Sequence, residues 1–162
     1  IMYCHLSGDY RGTECACREL IQFLQGDRSR ERFGLSVIPS VLSNAYLARA
    51  LADLGVFKDG DAHGEEAIRI AEALDHPFSA IWARLALAYL KSIRGEISQA
   101  IHLFERTVSQ CNDWNIIVLT PVATASLGHV HASSGRIGAG AASPHRAKAI
   151  SVSVTPDGLK TS

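Results

Sequence analysis

The side chains best suited to chemistry in this chain are four cysteines and seven histidines, and their spacing argues against a reactive site. Cys15 and Cys17 have one residue between them, so on a helix their side chains point to different sides. His129 and His131 have the same spacing, whereas paired zinc ligands usually have two or more residues between them. No pattern places a thiol beside a base, as nucleophilic catalysis requires. We therefore predict no catalytic residues, no metal site, no cofactor and no enzymatic activity.

The amino-acid composition and the length of the apolar runs argue against two classes of binding partner, nucleic acids and membranes. The chain has 16 basic and 16 acidic residues and a formal net charge of zero, whereas nucleic-acid binders usually have a basic excess on one face. The glycine-rich stretch 135–140 follows a helical pattern rather than a strand, so it does not predict a phosphate-binding loop. No run approaches the roughly 20 apolar residues of a membrane-spanning helix, and no secretion signal is visible. We expect no nucleic-acid or membrane partner and a cytoplasmic location.

An internal repeat with a period of forty residues predicts the helices that would carry any binding residues. Each copy has a leucine followed by a small residue, at Leu47-Ala48, Leu87-Ala88 and Leu127-Gly128. Seven residues after the small residue comes a glycine, at Gly55, Gly95 and Gly135. A large apolar residue follows two positions later, at Phe57, Ile97 and Ile137. Because glycine readily adopts the left-handed conformation that ends a helix, the pattern predicts helices joined in pairs at these glycines.

The segments around these glycines have the periodicity of helices rather than strands. The clearest apolar stripe consists of Ile97, Ala100, Ile101, Phe104, Val108 and Cys111. Breaker-rich segments at 75–77 and 112–115 separate the pairs. We therefore predict an all-α domain over residues 1–142, with a partial hairpin at 1–25, complete hairpins at 40–74 and 78–111, and a degenerate hairpin at 116–142. Residues 143–162 match no repeat and are predicted to be a disordered tail.

The repeated positions resemble the tetratricopeptide repeat, whose first helix carries a large residue, leucine and a small residue, and whose second carries small, aromatic and alanine positions. The matching residues are Leu87, Ala88, Ala100, Phe104 and Thr107 in the middle copy, and Leu47, Ala48, Leu51, Gly60 and Ala67 in the preceding one. The family's period is about 34 residues, so the second helix and linker are longer here. The resemblance implies antiparallel helical hairpins stacked as a short right-handed solenoid.

A narrower resemblance concerns the setting of the repeats. Segments 32–35, 40–43 and 64–73 resemble the C-terminal repeat region of large bacterial proteins that join an adenylate/guanylate cyclase domain to an AAA-type ATPase domain and then to such repeats. The sequence has no Walker-type loop and no paired metal-binding aspartates. The resemblance therefore implies a protein interaction or regulatory scaffold module of a larger signalling protein, rather than its catalytic part.

In stacked helical hairpins, the first helices line a concave groove that binds a segment of a partner protein. Mapped onto this chain, the groove is predicted to contain Leu42, Ala45, Arg49, Trp82, Leu85, Tyr89, Val122, Ala125 and His129. The alternative is that some of these, especially Trp82 and Leu85, are buried between neighbouring hairpins. A second hypothesis is a small-ligand-sensing repeat domain that controls a linked cyclase or ATPase, with Trp82, Tyr89 and Trp114 as the aromatic contacts.

Neither end of the repeat array has the polar face that caps such arrays. Ile1 takes the place of Ala48, in the middle of a first helix, and Gly138 and Gly140 weaken the last expected helix by about 1 kcal/mol each. We therefore expect the isolated chain to be marginally stable or to self-associate through its ends. Sedimentation and thermal unfolding at several protein concentrations test this expectation, which a sharp, concentration-independent transition of a monomer would contradict.

Overall fold

The computed structural model describes residues 1–135, and this part of the chain is all-helical, as predicted. Its α-helices are α1 (Met2–Leu6), α2 (Tyr10–Phe23), α3 (Pro39–Asp53), α4 (Phe57–Ala73), α5 (Pro77–Ile93), α6 (Ile97–Asp113) and α7 (Thr120–Ser133), with a 3-10 helix at Gly26–Arg30. The predictions for the end of the degenerate hairpin and for the tail at 143–162 lie outside the described residues. No helix within residues 1–135 is long and apolar enough to cross a membrane.

Glycines end helices at positions that the repeat predicted, and prolines begin two of the helices. Gly55 follows α3 with φ 77°, and Gly95 follows α5 with φ 87°, a conformation that residues with a Cβ rarely adopt. At the first of these turns, the Val56 amide donates to the Leu51 carbonyl at 2.8 Å and closes the end of α3. Pro39 and Pro77 begin α3 and α5, where their missing N–H groups cost nothing.

α3 is the central helix of the described part. It runs antiparallel to α4, since Asn44 near its start contacts His63 while Ala48, further along, lies against Gly60 at the start of α4. It also packs against α2 and α5, and α5 in turn packs against α4 and α6. Because α3 is covered by three helices, 12 of its 15 residues are buried.

Small residues allow α3, α4 and α5 to approach one another closely. A Cβ built on Gly60 would lie 2.5 Å from Leu90 Cδ1 and 3.2 Å from the carbonyl oxygen of Ala48. A Cβ on Gly64 would lie 3.0 Å from Leu87 Cδ1. All three distances are shorter than ordinary van der Waals contact. The spacing between the helices therefore favours glycine at position 60 and leaves little room for a side chain at position 64.

Ion pairs tie the start of α4 to the end of α5. Lys91 Nζ donates to Asp61 Oδ1 at 2.7 Å, and the Arg94 guanidinium also binds Asp61 and donates to Glu96 at 2.6 Å. Burial alone would raise the pKa of Asp61, but the hydrogen bonds from Lys91 and Arg94 outweigh that effect and lower it. Lys91 and Arg94 are therefore neutralised by carboxylates of the protein itself.

Candidate partner-binding face

Arg49 and Tyr89 meet where α3 packs against α5. The Arg49 guanidinium carbon lies 4.8 Å from the centroid of the Tyr89 ring, a distance typical of a cation–π interaction. The Tyr89 hydroxyl donates to Asp53 Oδ1 at 2.7 Å. Burial and this hydrogen bond to a carboxylate raise the pKa of Tyr89. The tyrosine is therefore held as a protonated donor, and its ring is a fixed platform for the guanidinium.

Aromatic side chains extend this platform towards α1. The Tyr46 ring lies 6.2 Å from the Trp82 ring and 5.6 Å from the His5 ring, and the Tyr10 ring lies 5.6 Å from His5. These rings come from α1, α2, α3 and α5 and form one cluster across four helices, in which His5 and Tyr46 are buried and Tyr10 and Trp82 are half-buried. We call the side of the protein that contains this cluster the Arg49 face and define it by His5, Tyr10, Tyr46, Arg49, Asp53, Trp82 and Tyr89.

Three buried polar atoms on the Arg49 face have no hydrogen-bond partner among the described residues: His5 Nδ1, Arg49 Nε and Asp53 Oδ2. Buried polar atoms are nearly always paired with a protein group or an ordered water, so these three atoms mark the polar part of the face. Arg49 also makes no ion pair with a carboxylate within residues 1–135. The face therefore offers a guanidinium that makes no direct ion pair within residues 1–135, although the Asp53 carboxylate lies on the same face.

His5 contributes a neutral ring to this face at physiological pH. Its side chain is 8% exposed. Burial and the positive charge of Arg49 lower the pKa of His5, against the opposing effect of Asp53. An unprotonated imidazole keeps one nitrogen as a donor and the other as an acceptor, so it can pair with a peptide backbone group without adding charge.

The α3 and α5 residues that were predicted to line the groove separate into two groups. Arg49, Trp82 and Tyr89 lie together on the Arg49 face. Ala45 and Leu85, which were also predicted to line the groove, are only 2% and 5% exposed and belong to the hydrophobic core. The alternative of burial between hairpins therefore holds for Leu85.

The remaining predicted groove residues lie outside the Arg49 face. Leu42 is half-buried and packs against the core cluster that contains Leu47. On α7, Val122, Ala125 and His129 are exposed, and the His129 ring does not pair with the rings of the face. The observed contacts therefore concentrate the candidate site on α1, α2, α3 and α5.

Four residues of the face were missed by sequence reasoning, namely His5, Tyr10, Tyr46 and Asp53. Tyr46 and Asp53 could have been found, because they precede Arg49 by three residues and follow it by four, which places all three on one side of a helix. His5 carries no such signal. It reaches Tyr46 only because α1 and α2 pack beside α3.

The aromatic residues proposed for ligand sensing do not form one site. Trp114 lies at the end of α6 and lines a cavity of about 280 Å³ together with Arg84, whereas Trp82 and Tyr89 belong to the Arg49 face. Arg84 is only 4% exposed and donates to Gln110 Oε1 and Glu72 Oε1, which satisfy its charge. The three aromatic residues of the ligand-sensing hypothesis therefore do not line one shared pocket.

Residues 1–135 form an assembly of packed helices and belong to the all-α fold class. In comparisons with known proteins, the chain matches no family model, no curated protein and no solved structure.

Proposed function

We propose that this chain is a protein interaction module whose helical pairs stack as a short right-handed solenoid of the tetratricopeptide type. The forty-residue repeat, the left-handed glycines at Gly55 and Gly95 and the antiparallel packing of α3 with α4 support this arrangement. The partner is a protein segment that lies along the Arg49 face. The resemblance to repeats that follow cyclase and ATPase domains supports a regulatory role within a larger signalling protein.

The observation that carries this proposal is the Arg49 guanidinium, which lies over the Tyr89 ring and makes no ion pair with a carboxylate of residues 1–135. A guanidinium forms strong, charge-assisted hydrogen bonds with a carboxylate. The partner segment therefore contributes an acidic side chain at Arg49.

Selection of peptides from a random display library tests this function. We expect peptides selected on the native chain to be enriched in Asp or Glu next to apolar residues. Arg49→Gln should weaken their binding about tenfold or more, because truncating one partner of a desolvated charge pair costs at least about 1.4 kcal/mol. With Trp114→Phe as background, Trp82 is the remaining tryptophan, and its fluorescence reports binding at the face directly.

Arg69→Gln provides the matched control. Arg69 lies on α4, is 68% exposed and pairs with Glu66, so its loss should leave the selected peptides and their affinity unchanged. Peptides without acidic enrichment, or equal losses for both variants, would overturn the proposal. Circular dichroism of each variant verifies that the helices are retained.

A further inference from the structure

A second cavity lies between α2, the 3-10 helix, α3 and α4. Its volume is about 560 Å³, within the range of roughly 300–1,000 Å³ typical of small-molecule sites. Ile21, Leu24 and Ile70 supply apolar walls. None of its lining residues belongs to the Arg49 face, so the two sites are separate surfaces of the protein.

His63 is the polar group of this cavity whose chemistry the structure fixes. Asn44 Nδ2 donates to the carbonyl oxygen of Ser40 at 2.9 Å, which leaves Asn44 Oδ1 facing His63 Nδ1 at 2.8 Å. Since an amide oxygen only accepts hydrogen bonds, Nδ1 carries the proton. In the neutral ring, Nε2 is therefore an acceptor. It has no hydrogen-bond partner among the described residues and is not enclosed.

Several groups around His63 determine its charge. Burial and the positive charge of Arg18 on α2 lower the pKa of His63, whereas Asp59 and Glu66 on its own helix oppose that change. From α3 the facing side chain is Asn44, which is uncharged. The imidazole is therefore neutral at pH 7, and its accepting nitrogen is available.

The other polar groups of the cavity are already paired or lie at its rim. Both Glu66 oxygens accept hydrogen bonds from Arg69, at 2.7 and 2.6 Å. Ser40 donates to the Ser29 carbonyl and Ser29 donates to the Gly26 carbonyl. Gln25 is exposed at the rim. No lysine or arginine is among the residues that line the cavity in the described part of the chain.

We propose that this cavity binds a small, uncharged phenol, whose ring packs on Ile21, Leu24 and Ile70 and whose hydroxyl donates to His63 Nε2. Apolar walls with one unpaired acceptor select a molecule that is apolar except for one donor. A phenolic O–H is more acidic than an aliphatic one and so is the stronger donor to imidazole. An anionic ligand has no cation in the lining to pair with, and the charge of Glu66, which would attract an ammonium ligand, is already paired with Arg69.

Titration of the full chain with p-cresol, followed by amide chemical shifts, tests the proposal. We expect shifts confined to the segments around 21–29, 40–44 and 62–70. 4-Methylanisole has nearly the same shape but no O–H, and it should bind at least about fivefold more weakly. Between about pH 7.5 and about pH 5 the p-cresol affinity should fall, because protonated Nε2 becomes a donor and can no longer accept.

Two variants complete the test. His63→Ala should weaken p-cresol at least about fivefold, whereas His102→Ala, at an exposed histidine of α6 outside this cavity, should not. Ala62→Phe places a ring in the cavity mouth from an exposed position and should abolish binding while His63 itself is retained. Absence of p-cresol binding, equal binding of both ligands, shifts spread over the Arg49 face, or unchanged affinity in Ala62→Phe would each overturn the proposal.

Discussion

Leu47→Ala is expected to lower the free energy of unfolding by about 2–5 kcal/mol, the usual cost of truncating a buried leucine. Leu47 is 0% exposed and packs with Cys17, Tyr46 and Leu51. Because α3 is covered by α2, α4 and α5, the cavity left by the substitution cannot easily collapse. Against a typical total stability of about 5–15 kcal/mol, this loss is large. Urea denaturation followed by far-ultraviolet circular dichroism measures it.

Leu6→Ala is the matched control for that substitution. The chemical change is the same, but Leu6 is 77% exposed, so we expect a change within about 0.5 kcal/mol. If the two variants were destabilised equally, or if Leu47→Ala cost less than about 1 kcal/mol, the packing described around α3 would be wrong.

Gly60→Ala is expected to destabilise the chain by about 1–3 kcal/mol, although alanine is the better helix former. The added Cβ would meet Leu90 Cδ1 at 2.5 Å, and Leu90 is itself 0% exposed, so its side chain has little room to move. Gly128 on α7 is the matched control, because a Cβ there meets no atom of the described residues within 4 Å. Gly128→Ala should stabilise by up to about 1 kcal/mol.

A double-mutant cycle isolates the cause of the Gly60 effect. If the Cβ clashes with Leu90, the double variant Gly60→Ala, Leu90→Ala should be less destabilised than the sum of the two single variants. If the two effects are additive, the loss of stability in Gly60→Ala arises instead from the contact with the Ala48 carbonyl or from another cause. Thermal and urea unfolding of the four proteins provide the comparison.

The positions of the turns were accessible from the sequence because they depend on local backbone preferences. Gly55 and Gly95 were predicted to end helices, and both have the positive φ that glycine tolerates best. The all-helical character of residues 1–135 follows equally from local periodicity. These properties need only a few neighbouring residues, which the sequence supplies directly.

The candidate site was only partly accessible from the sequence. Helical spacing placed Arg49 on one side of α3, but it could not show that Tyr89, forty residues later, lies under its guanidinium. The same spacing predicted Ala45 and Leu85 on the groove, where the structure buries both. Periodicity defines a face relative to a helix's own axis and says nothing about which neighbouring helix covers that face.

The sequence by itself therefore determined that residues 1–135 are a run of helices with turns at the repeated glycines. The tertiary structure decided which side chains meet: His5 with Tyr46, Arg49 with Tyr89, and His63 with Asn44. The physical reason is that each of these contacts depends on the distance and rotation between two packed helices. Both are set by side-chain packing over the whole interface, including the close approach at Gly60, and not by any local segment.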